Sequence, residues 1–242
     1  VVNDLLDLAA DRQHATKCNR PLASGALPIG VGMALGLGAG ALALILGALL
    51  GPAFLAVICV YIVLSLAYSL KLKRMRWIDV FCLAALYTLR VVAGAAASGV
   101  EATLSMLVFI FPVFLTLGCV KRLTELAKAT GEARLPGRGY APSDKGDMLN
   151  MAGMGVVGAL VIFALYSVSD QAAALYETRW ILWLALPPMA LWLMRMVALG
   201  ARGQMDYDPI VFALRDRTGI GLLLIILSLM FWSAGLWAEW LG

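Results

Sequence analysis

Seven long apolar stretches constrain this chain more than any other feature. They run near Pro28–Leu50, Pro52–Leu70, Trp77–Ala97, Thr103–Val120, Met148–Val168, Trp180–Leu199 and Thr218–Leu241. A helix of ~20 apolar residues spans a hydrocarbon core of ~30 Å. In lipid, only a helix or a closed barrel satisfies its own backbone. The runs are continuous rather than alternating, which argues against barrel strands. They predict an all-α, polytopic transmembrane helical bundle, read as one membrane-embedded domain over residues 1–242. Composition agrees, with 62% hydrophobic and 14% charged residues. Soluble domains run at ~45–50% and ~25%, and a soluble fold of this length has no interior large enough for the excess.

The connections alternate in charge. Segments 1–24, 71–76, 121–147 and 195–217 carry 17 of the 19 Lys and Arg residues. The opposite connections carry only Arg179, and Arg90 lies inside a span. The positive-inside rule places the basic segments in the cytoplasm, at the face of an inner (cell) membrane. Membrane topology therefore accounts for the net charge of +4, and no nucleic-acid partner is called for. Cys18, Cys59, Cys82 and Cys119 are scattered and form no C-x-x-C pair, so neither a zinc site nor a disulfide framework is suggested. The chain opens on Val-Val-Asn-Asp without Met or a signal-peptide pattern, and is read as lacking an upstream part.

The polar chemistry concentrates on the basic side. Asp4, Asp7 and Asp11 are spaced by three and four, which puts them on one helix face. Three neighbouring carboxylates repel, and a divalent cation relieves the repulsion. Mg²⁺ takes oxygen ligands and is commonly shared between one or two carboxylates and substrate phosphates. Asn3 adds an amide oxygen on the same turn. Arg12, Lys17 and Arg20 follow, and Pro21 and Gly25 end the element. Carboxylates for a metal beside cations for oxyanions suit a diphosphate ligand. The metal ligands expected are Asn3, Asp4, Asp7 and Asp11, with Arg12, Lys17 and Arg20 on phosphate.

The run N-D-x-x-D-x-x-x-D-R, continued by H-x-T-K-x-x-R-P-x-x-x-G over residues 3–25, resembles the first signature of the UbiA-type membrane prenyltransferase superfamily. That resemblance implies a nine-helix bundle with this motif after the second helix, so seven of nine helices would be present here. It also implies a Mg²⁺-dependent transferase acting on polyprenyl (di)phosphate substrates within the membrane lipid.

A second polar cluster runs from Tyr68 through Lys71, Lys73, Arg74 and Arg76 to Asp79. In the resembled superfamily a second signature occupies this connection, often as Y-x-x-x-K and a following Asp. Asp79 stands where a second metal-binding or base-like carboxylate would sit. Position 83 is Leu, so a full D-x-x-x-D pair is missing. Arg90, eleven residues after Asp79 in the same span, is costly in lipid unless paired or wetted and is expected to meet a phosphate or a carboxylate of another helix. The segments Arg90–Gly94 (R-x-x-A-G) and Lys121–Leu126 (K-R-x-x-E-L) look like the decaprenyl-phosphate phosphoribosyltransferase branch. Similar sequences also occur as the membrane half of fusions with a haloacid-dehalogenase-like phosphatase.

The roles implied are then as follows. Lys71, Lys73, Arg74, Lys121 and Arg122 join the phosphate-binding cations, and Tyr68, Asp79 and Arg90 are the catalytic candidates. Either a prenyl group moves from a prenyl diphosphate to an acceptor, or phosphoribose moves from phosphoribosyl pyrophosphate to a polyprenyl phosphate. The isoprenoid tail would lie among apolar helices. Segments Gly131–Asp147 and Gly200–Arg217 read either as solvated loops or as a cap over the site, and His14 as a phosphate or structural contact. A cation-coupled transporter is the alternative of another class. Transporters place their ion-binding groups near midplane, whereas these carboxylates lie at the edge.

Overall fold

The computed structural model describes residues 2–13, 17–129, 134–135, 137–205 and 208–237. His14 and the side chain of Lys17 lie outside the described residues. So do residue 130 and, within the segments Gly131–Asp147 and Gly200–Arg217, residues 131–133, 136 and 206–207. Most of the described residues are helical, and none is in a strand. It divides into two compact units, one of residues 1–102 with 134–140, the other of residues 103–133 with 141–242.

The first unit opens with two short helices, α1 (Val2–Leu6) and α2 (Leu8–Gln13). The break at Asp7 is slight. The Asp7 amide still donates to Asn3 O at 3.0 Å, and the Asp11 amide to Asp7 O at 2.8 Å. The helical path, and with it the shared face of the three aspartates, is preserved. Two membrane-length helices follow, α3 (Ile29–Leu50) and α4 (Pro52–Leu70). Pro52 sits at the start of α4, where its missing N–H costs nothing. Gly51 before it takes φ +118°, which only glycine adopts freely. α3 buries only Gly32 and Gly47, so its side chains are turned to the apolar solvent. After a 3-10 turn at Leu72–Arg74, α5 (Ile78–Ser98) packs on α4 and buries Asp79, Val80, Cys82, Leu83, Ala84, Leu86 and Tyr87.

The second unit is built on α6 (Leu104–Lys128), α7 (Lys145–Ser167) and α9 (Ile181–Ala201), with short helices α8 (Asp170–Leu175) and α10 (Pro209–Ala213) and the apolar α11 (Arg217–Ser233). Its core joins Leu117, Val120, Phe163, Leu182, Leu193 and Met196. Small residues bring the helices close, as expected where lipid gives no hydrophobic drive to association. A Cβ at Gly155 would fall on the Thr116 hydroxyl, and one at Gly200 would lie 2.9 Å from Val120. Pro112 lies inside the continuous α6, and the Thr116 hydroxyl donates to its carbonyl at 2.9 Å.

Among the described residues, six helices are long and apolar enough to cross a membrane. The seventh expected span, Thr218–Leu241, is a helix of 17 residues, Arg217–Ser233. At 1.5 Å per residue it reaches about 26 Å, somewhat less than a hydrocarbon core. Gly235 ends it with φ +78°, and Trp237 Nε1 turns back to donate to Ser228 O at 3.1 Å. The other spans fall within a few residues of expectation, except that α6 runs on two turns to Lys128, carrying Lys121, Arg122 and Glu125 on ordered helix.

Candidate functional site

The aspartates of the first unit are already partnered by cations. Lys73 Nζ donates to Asn3 Oδ1 at 3.0 Å and to both Asp7 oxygens at 2.6 and 2.7 Å. Its side chain is only 2% exposed, so the Asn3–Asp7 pair is what receives that charge. Arg20 Nη1 reaches Asp4 Oδ1 at 3.0 Å and Asp11 Oδ2 at 2.7 Å. Lys73 is 66 residues from Asp7 in sequence, and the 3-10 turn at Leu72–Arg74 swings it inward. The neighbouring Lys71 and Arg74 stay exposed. Arg12 turns away from the carboxylates and donates Nε to Ala23 O at 3.3 Å, which ties the following link to α2.

This donor set suits Mg²⁺. It consists of oxygens only, and one guanidinium nitrogen bridges two of the carboxylates, which places Asp4 and Asp11 side by side. Among the described residues no group of three acidic, His or Cys side chains stands ready as a metal cage. Mg²⁺ does not require one, since it binds through one or two carboxylates and completes its shell with substrate phosphate and water.

A second constellation joins Tyr68, at the end of α4, to Asp79, in the first turn of α5. The Tyr68 hydroxyl donates to Asp79 Oδ1 at 2.9 Å, and Asp79 is fully buried. Two of the three catalytic candidates are therefore in direct contact. A third member, absent from the sequence reading, is Arg138. Its Nη1 lies 3.2 Å from the Tyr68 hydroxyl and 3.6 Å from Asp79 Oδ1, with the guanidinium 5.9 Å from the Tyr68 ring centroid. It comes from the loop 134–140, which belongs to the first unit although its flanking helices do not. The signal for it was faint: one arginine between two glycines and before a tyrosine, Gly137-Arg138-Gly139-Tyr140.

Arg90 has a different partner from the one expected. It is exposed, and its Nη2 and Nε donate to the Tyr61 hydroxyl at 2.7 and 3.1 Å. The rings of Tyr61 and Tyr87 lie 5.6 and 5.5 Å from its guanidinium. Among the described residues no carboxylate reaches it. A hydroxyl and two ring faces meet the charge instead.

Lys121 and Arg122 lie in the second unit. Lys121 Nζ pairs with Asp208 Oδ2 at 2.7 Å, and Arg122, fully buried, pairs with Glu125 one turn on. Lys128 Nζ donates to Met205 O at 2.7 Å. Arg195 and Asp216 form a two-point pair, Nε and Nη2 each 3.0 Å from a carboxylate oxygen. The hydrogen bonds from that guanidinium hold the Asp216 carboxyl below its ordinary value of 3.8. Asp216 also caps α11 by accepting from the Gly219 amide at 2.8 Å.

Comparison with known proteins adds the following. The family model described as the UbiA prenyltransferase family matches residues 1–215. Protein y4nM of Sinorhizobium fredii is 35% identical over 229 residues, 93% of this chain and 44% of that protein. Nodulation protein NoeC of Azorhizobium caulinodans is 32% identical over 241 residues, 96% of this chain and 77% of that protein. A decaprenyl-phosphate phosphoribosyltransferase of Corynebacterium glutamicum is 33% identical over 184 residues, 73% of this chain and 55% of that protein. The chain thus spans between about half and three quarters of the length of these relatives.

Proposed function

The chain belongs to the UbiA prenyltransferase family, and from that premise we propose that it is a membrane transferase moving phosphoribose from phosphoribosyl pyrophosphate to a polyprenyl phosphate. The observation that carries this reading is the meeting of Asn3, Asp4, Asp7 and Asp11 with Lys73 and Arg20 in one unit. Oxygen donors for a cation and cations for oxyanions are both required by a diphosphate leaving group. The choice of donor follows relatives that are decaprenyl-phosphate phosphoribosyltransferases.

In this mechanism the Asp-rich face would hold Mg²⁺, which when bound neutralises diphosphate charge and assists its departure. Lys73 and Arg20 move part of their charge from carboxylate to the leaving pyrophosphate, supported by Lys71, Arg74 and Lys17, while Arg12 holds the following link through Ala23 O. The bond from the ribose carbon to the pyrophosphate oxygen breaks, and a bond from that carbon to an acceptor phosphate oxygen forms. Positive charge builds on the ribose carbon between these events. Asp79, oriented by the Tyr68 hydroxyl, steadies it electrostatically. Arg90 shapes the approach through Tyr61.

A second reading is prenyl transfer from a prenyl diphosphate to an acceptor. The hydrogen bond from the Tyr68 hydroxyl to Asp79 favours it, since an aromatic ring and a carboxylate held together suit an allylic cation. Offering labelled phosphoribosyl pyrophosphate and labelled prenyl diphosphate to the chain in lipid separates the two. Phosphoribosyl label in the lipid product is the expected result. Prenyl label alone selects the second reading, and no transfer of either rejects both.

The proposed setting is an inner membrane with the basic connections in the cytoplasm. Single cysteines at Gln171 and Ala141 should then label from opposite sides with an impermeant reagent. Labelling of both from one side would overturn this topology.

A further inference from the structure

Resting on the transferase reading above, we propose that Arg138 forms an anion subsite that receives a substrate phosphate beside the Tyr68–Asp79 pair. The loop is built to hold this side chain in place. Tyr140 is fully buried, and its hydroxyl accepts from the Trp77 amide at 3.0 Å. The two rings meet edge to face with centroids 6.1 Å apart. Trp77 takes φ +69° to make this contact, a conformation bulky residues rarely adopt. Gly139 lies so close to the 71–76 turn that a Cβ would sit 2.6 Å from Arg74 O. The Leu135 amide donates to Tyr140 O at 2.8 Å and closes the loop.

The guanidinium delivered this way is only partly used. Nη1 serves both Tyr68 and Asp79, while Nε and Nη2 have no hydrogen-bond partner among the described residues. Arg195 shows the geometry of a counter-ion that is fully spent, with Nε and Nη2 each on an oxygen of Asp216. Arg138 instead approaches Asp79 through one nitrogen at 3.6 Å, and its side chain is 20% exposed while Asp79 is at 0%. Solvent therefore reaches the arginine and not the carboxylate. A planar fork with two free donors matches two phosphate oxygens. Its far edge is already held, so little rotamer freedom is lost when an anion binds.

The phosphate can belong to the diphosphate donor or to the polyprenyl phosphate acceptor, and binding measurements distinguish them. The chain in lipid nanodiscs with Mg²⁺ is titrated with labelled inorganic pyrophosphate and, separately, with farnesyl monophosphate. Arg138→Met should weaken one of these ligands by about tenfold or more, the scale of a lost charge-assisted hydrogen bond. Arg138→Lys, which keeps the charge but not the fork, should fall between. Whichever ligand responds identifies the source. Unchanged affinity for both in Arg138→Met overturns the subsite. Should the Met variant not insert, the Lys variant decides, with unchanged affinity for both again overturning it. The transferase reading fails separately, through absence of label transfer. A chain that transfers no label yet loses pyrophosphate on Arg138→Met keeps the subsite and loses that reading.

Discussion

Replacing Asp7 by Asn should lower turnover by on the order of a thousandfold, the scale of losing a pre-set electrostatic contact to developing charge. Asp7 lies in the middle of the Asp-rich face, and both its oxygens contact Lys73. The substitution removes one negative charge but leaves an oxygen for Lys73, which also keeps Asn3 as a partner. The helical turn therefore retains its hydrogen bonds, and insertion should be unchanged. Side by side, the wild type should lose activity with a chelator and recover it with Mg²⁺, while Asp7→Asn should need far more metal to recover any. Wild-type turnover in Asp7→Asn, or activity in the presence of excess chelator, would remove the metal role from this face.

The second large effect is expected from Gly139→Ala. The added methyl would meet Arg74 O at 2.6 Å and Arg76 N at 2.9 Å. Both are backbone atoms in a turn whose neighbour Lys73 is buried, so neither can yield without moving the turn. Overpacking of this kind typically costs about 1–3 kcal/mol. The loop should lift, Tyr140 should lose the Trp77 amide, and Arg138 should leave Tyr68. Expected results are a lower melting temperature and a raised KM for the anionic substrate. Gly137→Ala is the control. Gly137 takes φ +70° with open space around its Cβ position, so that variant carries only the conformational penalty of about 1 kcal/mol. Equal behaviour of the two variants would show that close approach at Gly139 does not hold the loop.

These effects arise at two different depths of legibility. The Asp-rich face could be read from spacing alone, because residues three and four apart share a helix face whatever surrounds them. The break at Asp7 leaves that reading intact, since the backbone bonds run on across it. The identity of the counter-ions could not be read. Lys71, Lys73, Arg74 and Arg76 look alike in sequence, and the 3-10 turn at Leu72–Arg74 buries Lys73 while its neighbours stay exposed. Arg138 was hidden for a related reason. It lies 70 residues from Tyr68, and only the anchoring of Tyr140 and the close approach of Gly139 bring the loop there.

What the sequence by itself determined was the class of structure and the chemistry available to it. Long apolar runs in lipid leave the backbone no partner but itself, so helices follow locally and their ends lie near Gly, Pro and charged residues. Carboxylates at helical spacing beside Lys and Arg place anionic and cationic side chains together before any fold is known. What only the tertiary structure decided was which charge meets which. Lys73 faces Asp7, Arg20 bridges Asp4 and Asp11, Arg90 rests on Tyr61, and Arg138 joins Tyr68 and Asp79. Even the shortened seventh helix is of this kind, ended by Gly235 and by Trp237 turning back on Ser228. Hydrophobicity acts on each segment independently and is written into composition. Pairing depends on distances between atoms far apart in the chain, and those exist only once the helices have packed.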